Sequence, residues 1–189
     1  MSIKFRLTLM NFLQFFAWGA WLLSAGAYMT VTLNFTGLQV GAAYGTMGFA
    51  SLFMPALIGI IADKWVSAEK LMGICHLILA GLLIVLASVE DFSMFYPLIF
   101  LVSMFYMPTI GLNRSISFAT LENQKLDIVK VFPPIRVWGT VGFILAAWAV
   151  DFLDYGITPN QFFISAGASI VLGLYAFTLP KVGVQKSGD

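Results

Sequence analysis

Six apolar runs, each about 20 residues or a little longer, dictate what this chain can become. They fall at about 7–33, 38–62, 70–89, 93–119, 133–151 and 159–180. A helix needs roughly 20 mostly apolar residues to cross a hydrocarbon core, so each run is long enough to span. The breaks carry the charges and turn residues. Asn34 to Gln39 is polar with a Gly, and Asp63 to Lys70 is charged. Glu90-Asp91 ends the third run, and Glu122 to Lys130 precedes Pro133-Pro134. Asp154 to Asn160 holds Gly and Pro. Composition agrees: 60% of residues are apolar, 10% are charged, and mean hydropathy is +0.91. Soluble domains run at roughly 45–50% apolar and about 25% charged. An ordinary soluble enzyme, a nucleic-acid-binding domain and a disordered segment are thereby excluded. Barrel strands alternate polar and apolar over about 10 residues, and these runs do not. The expected fold is all-α: a polytopic bundle of six transmembrane helices in a lipid bilayer.

The basic residues orient the bundle. Lys4 and Arg6 lie on the N-terminal tail, Lys64 and Lys70 in the second loop, Lys125 and Lys130 in the fourth. Lys181 and Lys186 lie on the C-terminal tail. Eight of the ten Lys and Arg thus sit on alternate segments, whereas the other loops hold Glu90, Asp91 and Asp154. The positive-inside rule then puts both termini in the cytoplasm. The first run could mimic a signal peptide, but it exceeds a 7–15-residue h-region. Asn11 and Gln14 also interrupt it, so a retained first span is expected.

Helical spacing sorts the faces. In the first span Asn11, Gln14, Trp18, Trp21, Ala25 and Tyr28 share one stripe. In the fourth, Tyr106, Thr109, Asn113, Ser117 and Thr120 share another, with Pro108 placed to kink the helix. In the fifth, Arg136, Thr140, Phe143 and Ala147 align. The third and sixth spans are apolar nearly all round, and the other four suffice to line a cavity, which would turn those two toward lipid. A plainer reading stands beside each stripe. Small and hydroxyl residues often only pack helices together. Gly41, Gly45 and Gly48 read most simply as such a packing face, and so do the Ser and Thr of the fourth span. Trp138 and Trp148 suit an interfacial belt. Arg136 is sharper: a guanidinium inside a bilayer normally faces a partner or a wet cavity. Arg114 reads as snorkelling or paired with Glu122, and His76 as a packed or interfacial histidine.

Chemistry narrows the function classes. One cysteine, Cys75, and one histidine, His76, allow no disulfide framework and no multi-His metal centre. No GxSxG or HExxH is present, so no catalytic residues, metal or cofactor are expected and the chain does not read as an enzyme. A transporter, or half of one, fits the polar stripes; a non-transporting six-span scaffold is the alternative. No carboxylate falls well inside a span.

Four ordered segments then bear a resemblance. They are Phe12-Leu-Gln-Phe-Phe-Ala-Trp-Gly-Ala-Trp21, Phe53-Met-Pro-Ala-Leu-Ile-Gly-Ile-Ile-Ala-Asp-Lys-Trp65, Tyr106-Met-Pro-Thr-Ile-Gly111 and Phe132-Pro-Pro-Ile-Arg-Val-Trp-Gly-Thr-Val-Gly-Phe143. The chain resembles the bacterial nucleoside:proton symporters of the major facilitator superfamily, over about residues 3–180. The resemblance implies two six-helix bundles, each a 3+3 inverted repeat. This chain would be the N-terminal one over 1–180, with 181–189 starting the central cytoplasmic linker. It implies a bacterial inner-membrane protein carrying nucleosides such as uridine and adenosine together with protons, and a second bundle, absent from this chain, that supplies the proton-coupling carboxylates. A sugar or another small polar solute is the alternative substrate. Arg136, Thr140 and Phe143 match the fifth-helix residues of the family's nucleoside site, and Gln14 and Trp18 are candidate additions. Gly59, Asp63 and Lys64 resemble the superfamily's gating motif, with Gly59 allowing close helix approach. The stretch Trp65-Val-Ser-Ala-Glu-Lys70 departs from that motif, lacking its later Gly and doubled basic residues.

Overall fold

The computed structural model describes residues 2–182, except for the side chain of Asp63. Helices start where the sequence offers caps. Ser2 accepts from the Phe5 N–H and opens α1 (Ile3–Gly19). After a tightened turn come the short α2 (Ala25–Ala27) and a π-helical turn, Tyr28–Thr32. Thr36 and Gln39 close a reciprocal capping box on α3 (Gly37–Lys64). Next is α4 (Ala68–Leu86). Asp91 accepts from Ser93 at the head of α5 (Phe92–Asn123). Asp127 accepts from Val129 and Lys130 at the head of α6 (Ile128–Phe152), and α7 (Asn160–Ala176) closes the fold. Such a cap is worth about 1 kcal/mol. All the regular structure among the described residues is helical.

Two boundaries depart from the sequence reading. The expected first span is not one helix. The Trp21 N–H bonds Trp18 O, one residue short of α-helical spacing. Further on, the Thr30 hydroxyl takes the carbonyl of Gly26 at 2.9 Å, and the ladder widens until Leu33 N–H bonds Tyr28 O. The fifth span starts at Ile128, not 133, so Pro133 and Pro134 lie inside α6. They deprive the carbonyls of Val129 and Lys130 of helix partners, but both residues are exposed, where water can serve them.

Four helices are long and apolar enough to cross a membrane: Gly37–Ala62, Ala68–Leu86, Phe92–Asn123 and Ile128–Phe152. The main packed pairs are α1 on α6, α4 on α7, α3 on α5, α4 on α5 and α1 on α7. Two crossings bring backbones close. A Cβ on Gly142 would lie 2.4 Å from Phe12 O, and one on Gly19 2.4 Å from Phe143 O. A Cβ on Gly73 would lie 2.9 Å from Gly173 O. Only glycine permits these approaches, and they give the dispersion contact that holds helices together in lipid. The expected packing face on α3 behaves otherwise: nothing within 4 Å would meet a Cβ on Gly41, Gly45 or Gly48.

Burial also redraws the expected lipid faces. The inner sides of α4 and α7 are packed, with His76, Gln161, Ser165 and Ser169 all buried; the outer sides expose Ile78, Val85 and Leu174. Few residues of α3 and α6 are buried. The basic end of the bundle is fastened across the chain. The Arg6 guanidinium donates to Thr178 O, and the Tyr175 hydroxyl donates to Arg6 O at 3.2 Å. The buried Glu69 carboxylate accepts from the Ser67 hydroxyl at 2.6 Å and from the Val182 N–H at 3.2 Å. Residues 183–189, including Lys186 and most of the expected linker, lie outside the described residues.

Candidate functional site

The polar stripes of α1 and α5 meet at Gln14. Its side-chain amide donates to Thr109 Oγ1 at 2.8 Å, and its Oε1 lies 2.9 Å from His76 Nε2. Its main-chain carbonyl accepts from the Tyr106 hydroxyl at 2.8 Å. Thr109 in turn donates to Tyr106 O at 2.6 Å. These directions fix one another. With its NH2 spent on Thr109, Gln14 turns Oε1 to His76, and Nε2 of a neutral imidazole must carry the proton. His76 Nδ1 then holds an acceptor lone pair, buried and without a partner. Gln14, Thr109 and His76 are each wholly enclosed.

In front of this network lies an aromatic and cationic cluster. Trp18 packs on Tyr106 with ring centroids 5.4 Å apart, and meets Phe143 edge-on at 6.2 Å. Phe15 lies 6.3 Å from Trp18, and the Arg136 guanidinium sits 4.0 Å above the Phe15 ring. A cation over an aromatic face is attracted by the ring quadrupole, so the ring holds Arg136 without occupying its N–H donors. Among the described residues, no carboxylate pairs with it: the one ion pair found is Lys130 with Asp127, at 3.5 Å. Trp18 Nε1 is buried and has no acceptor.

The expected site residues therefore separate into three groups. Arg136, Phe143 and Trp18 share one cluster and are all partly accessible; Thr140, one turn above Arg136, is exposed. Gln14 is close by but fully buried, so it supports the cluster from behind. Gly59 and Lys64 lie outside it, at the far end of α3. Among the described residues, no atom lies within 4 Å of a Cβ on Gly59, so the close approach expected there is not made among them. The Asp63 side chain lies outside the described residues. Arg114 is exposed and makes no ion pair with Glu122. The C-terminal part of the stripe expected in the first span lies beyond α1 and turns away: Trp21 and Tyr28 pack on Phe162 of α7, at 6.2 and 5.7 Å. Thr109, Asn113, Ser117 and Thr120 are all buried, which favours packing over ligand contact.

Sequence reasoning missed Phe15 and the bond from His76. Phe15 lies one residue beyond Gln14 and off the polar stripe. His76 stands alone in an apolar run, and only its position opposite Gln14 reveals its role.

The profile of the nucleoside H+ symporter family matches residues 1–189. The chain belongs to that family. It is 50% identical over 186 residues to the xanthosine permease of Escherichia coli K12, covering 98% of this chain and 44% of the relative. It is 46% identical to the nucleoside permease NupG of the same organism, with the same coverage. Two crystal structures of the nucleoside transporter NupG superpose with TM-scores of 0.96 and 0.94, at 45% and 44% identity. They cover 98% and 100% of this chain, and 46% and 47% of the solved chains. The chain thus spans about half the length of the relatives it matches. It is a multi-pass membrane protein from a family of transporters rather than enzymes.

Proposed function

We propose that this chain is the N-terminal half of a nucleoside:proton symporter, and that Trp18, Arg136, Thr140 and Phe143 hold the nucleoside. The observation that carries the reading is the cluster around Arg136 and Trp18. It joins unspent N–H donors to aromatic faces beside an open surface. A nucleoside needs that combination, because its base offers a π-face and a carbonyl while its ribose offers hydroxyls. Arg136 then acts as a fork of neutral-ligand donors. Trp18 Nε1 supplies one more, and Phe143 an apolar wall.

The packing pattern supports a 3+3 repeat of six spans, with α1, α2 and the π-turn forming one span. Exchanging α1, α3 and α4 with α5, α6 and α7 carries α1 on α6 into α5 on α3. It carries α1 on α7 into α5 on α4, and α4 on α7 into itself. The exposed faces of α3 and α6 await a second bundle, which rocks against this one in alternating access. That bundle supplies the proton-binding carboxylate. The distribution of Lys and Arg supports an inner-membrane protein with both termini cytoplasmic.

The test is proton-driven uridine uptake by the complete protein in proteoliposomes. Adenosine should compete with uridine and galactose should not. Arg136→Ala should cut uptake ~10–100-fold, the loss of a charged hydrogen bond worth about 1.5–3 kcal/mol. Uptake blocked by galactose alone, or unchanged in Arg136→Ala, would overturn the assignment.

A further inference from the structure

On the outside of the α1–α6 crossing, away from the Trp18 cluster, two hollows run into one another. The first, about 290 Å³, lies at the basic end of the bundle and is lined by Lys4, Lys130, Thr8 and Trp138 among others. The second, about 360 Å³, continues from it between Phe5, Phe12 and the same Thr8 and Trp138. The pair forms one groove with two ammonium groups at its mouth and apolar rings along its length.

Neither lysine is consumed by the fold. Lys4 is exposed and makes no ion pair among the described residues. Among the described residues Lys130 pairs only with Asp127, at 3.5 Å between two exposed side chains, a contact of little strength. The neighbouring Arg6 is already spent on Thr178. Trp138 is half exposed at the junction of the two hollows, where an indole suits the headgroup level of a bilayer. Two lysines with, among the described residues, at most one solvent-exposed ion pair between them flank an apolar groove on a membrane helix pair, which matches a ligand with an anionic head and a hydrocarbon tail.

We infer that this groove binds an anionic phospholipid of the adjoining leaflet, its phosphate between Lys4 and Lys130 and one acyl chain against Phe5, Phe12 and Trp138. The inference needs only that the protein is membrane-embedded, so it stands or falls apart from the nucleoside assignment.

Native mass spectrometry of the intact protein in detergent tests it, titrating phosphatidylglycerol against phosphatidylethanolamine. The intact protein should retain one phosphatidylglycerol in preference. The K4Q/K130Q double variant should hold it about 30-fold less tightly, as two surface lysines near an anionic lipid predict. Both substituted positions are exposed, so the melting temperature should not move. Equal retention of the two lipids, or equal phosphatidylglycerol affinity in the double variant, would overturn the proposal. Displacement of the lipid by equimolar glycerol 3-phosphate would also overturn it, because a soluble phosphate would then suffice and the acyl groove would play no part.

Discussion

His76 shows what one buried polar contact does in this bundle. Its Nε2–H answers Gln14 Oε1, while the Gln14 amide answers Thr109. Replacing His76 by Leu leaves that oxygen enclosed without a donor. Interhelical polar contacts in membranes average near 0.6 kcal/mol, with a maximum near 1.7, so a loss of about 1 kcal/mol is expected. Replacing Gln14 by Leu strands the imidazole instead. The two changes should be less than additive, because the double variant removes donor and acceptor together. Thermal melting of the two single variants and the double variant reads this; strictly additive losses would mean the bond contributes nothing. At this scale the sequence is half legible. Periodicity put Gln14, Trp18, Tyr106 and Thr109 on inward faces, and resemblance put Arg136 and Phe143 in one site. Neither could find His76 or Phe15. Each becomes informative only through a partner on another helix, and spacing along one helix carries no record of the next.

Between helices, the decisive residues are glycines at crossings. An added Cβ at Gly142 meets the Phe12 carbonyl oxygen at 2.4 Å, a rigid atom that cannot rotate away. Gly142→Ala must therefore push α1 and α6 apart, with a cost of about 1–3 kcal/mol, as overpacking usually brings. Gly81→Ala is the control: nothing lies within 4 Å of its added Cβ, and Ala is the better helix former. Melting of the purified protein should fall for Gly142→Ala and hold or rise for Gly81→Ala. The sequence pointed instead to Gly41, Gly45 and Gly48, since their regular spacing makes a visible small-residue face. The crossings that form use Gly19 against the Phe143 backbone, Gly142 against the Phe12 carbonyl, and Gly73 with Gly173, single small residues each matched to a backbone on another helix. A motif confined to one helix cannot report that match. Helix lengths were more legible, because hydrocarbon thickness sets them, and so were the starts of α3 and α5, where Thr36 and Asp91 are residues of capping type at the breaks between apolar runs. The broken first span was not legible: its apolar residues run on without interruption while the hydrogen bonds change register beneath them.

For the molecule as a whole, the helical membrane class followed from run length. The buried and exposed faces of the helices did not. A hydrophobic residue against lipid and one against another helix have the same composition, so α4 and α7 read as lipid-facing although half of each is packed. The difference between an open and an enclosed polar position is hidden for the same reason: Thr140 is exposed and Thr109 enclosed, yet both are threonines on a stripe.

The clasp at the basic end bears on how force would pass through the protein. Arg6 holds Thr178, Tyr175 holds Arg6, and Glu69 holds Val182, so the chain moves with the bundle as far as Val182. Up to that residue, two positions beyond the end of the apolar run, the chain offers no swivel. A protease site inserted at Thr178 should resist cutting, or cost stability when cut, because the blade would part the clasp from its moorings on α1 and α4. Limited proteolysis followed by thermal melting reads this; ready cutting with an unchanged melting temperature would mean that the clasp holds nothing. Whatever is joined beyond Val182 is pulled by a fixed anchor, and the torque of any rocking motion is delivered to the first turns of α1 and α4 rather than absorbed by a slack tether.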